Sequence, residues 1–147
     1  MAFSGKIIGG NKLKAKFAKI KTVAPSATKK AMTKILVDMD RDVKSTIQKG
    51  SRSGRIYGKH RVSAPGEAPK IDTGVLASSF SFRSKGDKRQ IVGTIENSAK
   101  HAKYLEFKPK SQGGRPFMRP LYNRWRERAS KRLMITIKTT IRKVARG

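Results

Sequence analysis

Six apolar residues, Leu121, Trp125, Ala129, Leu133, Ile137 and Ile141, stand at four-residue intervals without a gap. A four-residue step advances a helix by slightly more than one turn, so such a row keeps to one face. The row therefore predicts one long helix from Pro120 almost to the last residue. Its later half, from Ile135 to Ile141, is rich in β-branched residues and would suit a strand by propensity alone. No turn signal interrupts the row, and the helix is the better reading. Arg124, Arg126, Arg128, Lys131, Arg132, Lys138, Arg142 and Lys143 fill most of the remaining surface, which makes this helix amphipathic and strongly basic.

That basicity runs through the whole chain. Its 147 residues carry 36 Lys and Arg against nine Asp and Glu, a net charge of +27. This exceeds what solubility requires, and so much like charge repels itself unless counter-ions or polyanions meet it. Acidic proteins, nucleic acid or a crowded assembly are the partners it suits. Residues 97–147 hold fifteen basic residues against Glu106 and Glu127, and the acids cluster only at Asp38, Asp40 and Asp42. The chain has no Cys, which excludes disulfides and thiolate metal sites. His60 and His101 have no second ligand at metal-site spacing, so neither metal nor cofactor is expected. The first ten residues lack the apolar stretch of a secretory signal, and no run approaches a membrane span. Synthesis in a reducing cytoplasm and no membrane partner are the expectations.

The length suits a single domain over residues 1–147. Lys6-Ile7-Ile8 could form an edge strand. From Asn11, Leu13, Phe17 and Ile20 recur at helical spacing to about Val23, and Pro25 is expected to end that helix. Ser26 then caps a second helix over about 26–49, with Met32, Ile35, Leu36, Met39, Val43 and Ile47 as its apolar stripe. Residues 50–70 read as an extended basic loop, rich in Gly and Pro, carrying Arg52, Arg55, Lys59 and Arg61. Asp72 or Thr73 could cap a single helical turn. Phe80-Ser81-Phe82 and the stretch from Gln90 to Ile95 flank a turn at Lys85–Lys88 and predict a β-hairpin. The fold class is α+β, a small antiparallel sheet packed by two N-terminal helices and a long C-terminal one.

Motifs for catalysis fail on context. Asp72-Thr73-Gly74 matches the aspartic-protease tripeptide, but that chemistry needs two carboxylates held in β-structure. Gly54 to Lys59 has the wrong spacing for a phosphate loop, and no Ser or Thr follows the Lys. Ser26-Ala-Thr-Lys29 lacks the other elements of a serine–lysine acylase. Asp38, Asp40 and Asp42 lie at i, i+2, i+4, so Asp40 points away from the others. A solvated helix face explains them better than a nuclease metal site. No enzyme is indicated.

Three ordered segments carry a resemblance. They are Ser63-Ala64-Pro65-Gly66-Glu67-Ala68-Pro69-Lys70-Ile71-Asp72-Thr73-Gly74-Val75-Leu76, then Ala102-Lys103-Tyr104-Leu105-Glu106-Phe107, then Arg115-Pro116-Phe117-Met118-Arg119-Pro120. With an intervening Val92-Gly93-Thr94, the chain resembles the minor tail proteins of long-tailed bacteriophages, also called tail-completion or head–tail joining proteins. Where that family has Gly-Thr after Phe107, this chain has Lys108-Pro109, which implies an altered turn. The resemblance implies a structural virion protein of the neck, made in the host cytoplasm and assembled as a ring. A hexamer is favoured, and a dodecamer would match a portal. Adjacent connector and tail-tube or tail-terminator proteins, and the genomic DNA, are the implied neighbours.

On this reading Tyr104, Leu105, Phe107, Phe117 and Met118 either anchor a subunit interface or pack the domain's own core, with Tyr104, Phe107 and Phe117 suited to both. Arg115 and Arg119 could pair with a neighbour's Glu67 or Glu106. Arg52, Arg55, Lys59 and Arg61, with Arg124, Arg128, Lys131 and Arg132, meet DNA or an acidic partner. A stand-alone nucleic-acid-binding protein of ribosomal or nucleoid type is the alternative, supported by charge alone.

Overall fold

The computed structural model describes residues 10–70 and 72–146. The expected strand at Lys6-Ile7-Ile8 lies outside the described residues. Instead of two N-terminal helices there is one, α1 (Gly10–Lys49), with Pro25 inside it. Proline removes one hydrogen bond and costs a helix interior about 3 kcal/mol. The helix nonetheless continues, because it packs lengthwise against the C-terminal helix α4 (Met118–Arg146). Ser26, read as a cap, is an interior residue of α1. The long C-terminal helix is present, and packing along one apolar face carries its β-branched half as helix.

Within the 50–70 loop a short hairpin stands out, β1 (Ile56–Tyr57) and β2 (His60–Arg61), turning at Gly58 with φ 57°. A single helical turn, α2 (Val75–Ser78), follows. Its cap is Gly74, with no side-chain hydrogen bond, so neither Asp72 nor Thr73 caps it. The expected hairpin is β3 (Phe80–Gly86) with β4 (Ile91–Asn97), antiparallel, in register from Phe80 opposite Asn97 to Gly86 opposite Ile91. Its turn falls at Asp87–Gln90, where the Asp87 carboxylate accepts the N–H groups of Arg89 (2.7 Å) and Gln90 (3.1 Å). These bonds, that from Arg89 first, hold Asp87 below the usual carboxylate range. After β4 come α3 (Ala102–Phe107), a 3-10 turn (Lys110–Gln112) and α4.

The core forms where α1 crosses the β3–β4 hairpin and the start of α4. Ile35, Val43 and Ile47 of α1 pack with Leu76, Phe80, Ala102, Phe117, Leu121 and Trp125. Phe80 meets Phe117 edge-on, with ring centroids 5.9 Å apart. Gly93 lets β4 lie against α1, for a Cβ there would stand 2.6 Å from the Met32 sulfur. That close approach is the physical content of the Val-Gly-Thr element. Distally, α1 and α4 continue as an antiparallel pair as far as Lys16, whose ammonium donates to the Ala145 carbonyl (2.5 Å).

Candidate functional site

The three ordered segments converge on one hub. Glu106 of α3 accepts hydrogen bonds from the N–H groups of Phe117 (2.8 Å), Met118 (2.9 Å) and Arg119 (2.9 Å). These are the otherwise unpaired donors at the start of α4, and a carboxylate also suits the positive end of the helix dipole. Arg115 ties the third segment to the other two. Its N–H donates to the Leu105 carbonyl (2.7 Å), and its Nε donates to the Ser63 carbonyl (2.9 Å).

The first segment is held in turn. Gly66 N–H donates to the Gly114 carbonyl (2.7 Å), and Lys70 Nζ donates to the carbonyls of Gln48 (3.4 Å) and Gly50 (3.1 Å) at the end of α1. The Glu67 carboxylate accepts from the Ser53 hydroxyl (2.5 Å) and the Ala64 N–H (3.1 Å). These bonds, that from Ser53 first, hold Glu67 below the usual glutamate range. Glu67, Glu106 and Arg115, read from sequence as partners for a neighbouring subunit, therefore have partners inside the chain.

The turn at Lys108-Pro109, expected from sequence to be altered, is a tight excursion. Lys108 closes α3 in extended conformation, Pro109 opens the 3-10 turn, and Gly113 closes it at φ 86°. Gly114 N–H then returns to the Pro109 carbonyl (3.1 Å), and a Cβ at Gly114 would collide with the Lys108 carbonyl.

The apolar interface candidates separate into two groups. Phe117 is core at 3% exposure, and Leu105 and Met118 are partly buried against the core. Tyr104 and Phe107 stand out at 63% and 69% exposure, and Arg119 is exposed. Phe107 and Met118 border an apolar groove of about 840 Å³ between α1, β4, α3 and α4.

The basic candidates separate likewise. Arg52, Arg55, Lys59 and Arg61 are all exposed on or beside the β1–β2 hairpin, and Arg128 and Lys131 are exposed on α4. Arg124 and Arg132 reach α1 instead. Arg124 approaches Asp42 (3.4 Å), and Arg132 binds Asp38 (2.6 Å) while lying over the Trp125 ring.

Asp42 also accepts the Trp125 Nε1–H (2.7 Å). The acidic trio is therefore not a solvated face: Asp38 and Asp42 clamp α1 to α4, and Asp40 pairs with Lys44 on α1 itself (2.8 Å). Their i, i+4 spacing, opposite a basic helix carrying the chain's one tryptophan, was the available signal. Among the described residues no group of three His, Cys, Asp or Glu could hold a metal, and no helix is long and apolar enough to cross a membrane.

No curated protein and no solved structure matches the chain. Over residues 11–107, two thirds of the chain from α1 to α3, it matches the HK97-gp10-like family, described as "Bacteriophage HK97-gp10, putative tail-component". The Arg-Pro-Phe-Met-Arg-Pro segment lies beyond that match, bonded to it through Glu106 and Leu105. The chain thus belongs to the HK97-gp10-like family of bacteriophage tail components.

Proposed function

We propose that the chain is a structural subunit of the phage neck, a ring component that completes the tail or joins it to the DNA-filled head. Exposed surface is the observation that carries this. The chain exposes 11245 Å², whereas a compact monomer of 16.4 kDa exposes about 7,500 Å². The difference is several times the ~800 Å² per partner of a standard interface. A subunit that contacts a neighbour on each side, and a further ring above or below, has use for such a surface.

Tyr104, Phe107, Met118 and Arg119 would form the contact patch, with Phe117, Leu105, Glu67, Glu106 and Arg115 fixing its shape. Arg52, Arg55, Lys59 and Arg61, with Arg128 and Lys131, would face DNA or an acidic connector, tail-tube or tail-terminator protein. Arg124 and Arg132 would add charge while held by α1. The subunit would be made in the host cytoplasm and carried in the virion, and its role would be structural rather than catalytic. A hexamer matches a tail tube, and a dodecamer would match a portal.

The test is to treat particles with nuclease, wash them in high salt, and count copies of the chain that remain. A fixed copy number supports the ring and gives its stoichiometry. Release into the soluble fraction would favour a stand-alone nucleic-acid binder, because phosphate contacts weaken steeply with salt.

A further inference from the structure

Among the described residues, the apolar groove and the distal α1–α4 arm are two unpartnered surfaces on different parts of the same chain. Met32, Leu36, Met39, Ile95, Phe107 and Tyr122 line the groove. Phe107 and Tyr122 at its rim are 69% and 59% exposed. Methionines at its wall suit an adaptable docking surface. On the arm, Leu13 and Phe17 are each 56% exposed. They stand four residues apart on one helical face, the spacing by which a helix anchors in a groove. The pairing of α1 with α4 reaches Lys16, so Leu13 lies nearly a turn beyond it. On α4, Met134 and Ile135 are exposed as well, at 52% and 63%.

We propose that the arm of one subunit docks in the groove of the next copy, with Leu13 and Phe17 as its anchors. The inference rests on the ring reading above and gives that ring its contact. A knob and a socket on separate parts of one chain make a head-to-tail interface, which closes into a ring when the rotation between copies permits.

Charge selects this pairing over that of two arms. Residues 10–37 hold eight Lys and no acid, and residues 128–146 hold seven basic residues and no acid. Two arms therefore repel each other. The groove carries Glu96 and Glu106 against Lys103 and Arg119, a balanced stretch on a chain of 36 basic and nine acidic residues. Glu96 is half-exposed and pairs with Arg83 at 3.8 Å. A basic arm therefore meets less opposing charge in the groove than on a second arm. The exposed area quoted above leaves ample surface for such a contact on both sides of each subunit.

The experiment uses two double variants of the full chain at high salt, an arm variant (L13D and F17D) and a groove variant (F107D and Y122D). All four positions are exposed, and circular dichroism confirms that each variant is folded. Wild type should sediment as a closed oligomer, and each variant alone should be monomeric, its self-association weakened about thirtyfold or more. An equimolar mixture should stop at dimers, because only one intact arm and one intact groove remain. A groove variant that still self-associates would show that arms pair with arms, and an arm variant that still does so would show that grooves pair with grooves. Either result overturns the proposal, as does a mixture that stays monomeric or a wild type that never associates.

Binding of the monomer to an acidic partner protein through the same groove residues would reassign the groove to that partner. Virions that hold wild type and both variants at one fixed copy number would sink the arm-and-groove contact alone. Virions that lack the wild-type chain would sink the neck reading itself.

Discussion

Glu106 supplies one carboxylate to three main-chain donors, those of Phe117, Met118 and Arg119. Removing it leaves these N–H groups unpaired beside a partly buried helix start. Glu106→Ala should therefore lower stability by about 1–3 kcal/mol in a urea titration. Glu106→Gln, which keeps an acceptor oxygen, should lose less. Equal unfolding midpoints for Glu106→Ala and wild type would show that the cap contributes nothing.

Glu67 makes a pH prediction. Its folded pKa is depressed, chiefly by the Ser53 hydroxyl and then by the Ala64 N–H, from an ordinary value of 4.5. Its contribution is thus fully present above pH 4.5 and is lost as pH falls through the lower folded value. Protection of the Ala64 amide in hydrogen exchange should fall over that acid range, and Ser53→Ala should move the loss to higher pH. An Ala64 amide indifferent to both changes would refute the assignment. Both carboxylates stood out in the sequence as charged members of motifs, but their partners did not. A cap supplied from eleven residues upstream follows no local spacing rule, so only the fold reveals it.

At the scale of elements, local rules served where local forces decide. The β3–β4 hairpin and the long helix α4 were legible from alternation and from an unbroken row, with ends displaced by a few residues. Pro25 misled, because the rule that proline ends a helix describes an isolated helix, whereas α1 lies along α4 on both sides of it. The acidic trio misled for a related reason: i, i+4 carboxylates look solvated until a second helix is laid beside them.

Asp42 is the centre of that clamp, accepting from Trp125 and facing Arg124. Asp42→Ala leaves the indole N–H of a 6%-exposed tryptophan unpaired. It should cost about 1–3 kcal/mol. Asp42→Asn should cost less. Trp125 is the chain's one tryptophan, so its fluorescence reports the loss directly. Denaturation curves of both variants that overlay the wild type would dismiss the clamp.

For the whole molecule, net charge and apolar surface oppose each other, and salt separates them. A charge of +27 drives copies apart, and screening shortens the reach of that repulsion to about 3 Å in 1 M salt. Self-association through apolar groups should therefore strengthen as salt rises, while binding to DNA weakens. Sedimentation and DNA retention measured over one salt series should move in opposite directions, and a parallel decline would mean that polyanions bridge the copies. The hub has one more use. Its excursion from Lys108 to Gly114 leaves α3 and returns beside its own starting point, with Gly114 bonded back to Pro109 and Ser111 and Gln112 exposed at its tip. A peptide spliced between those two residues would lengthen a loop whose ends are already pinned. That excursion is thus the natural position for an affinity handle or a fluorophore on this tail component.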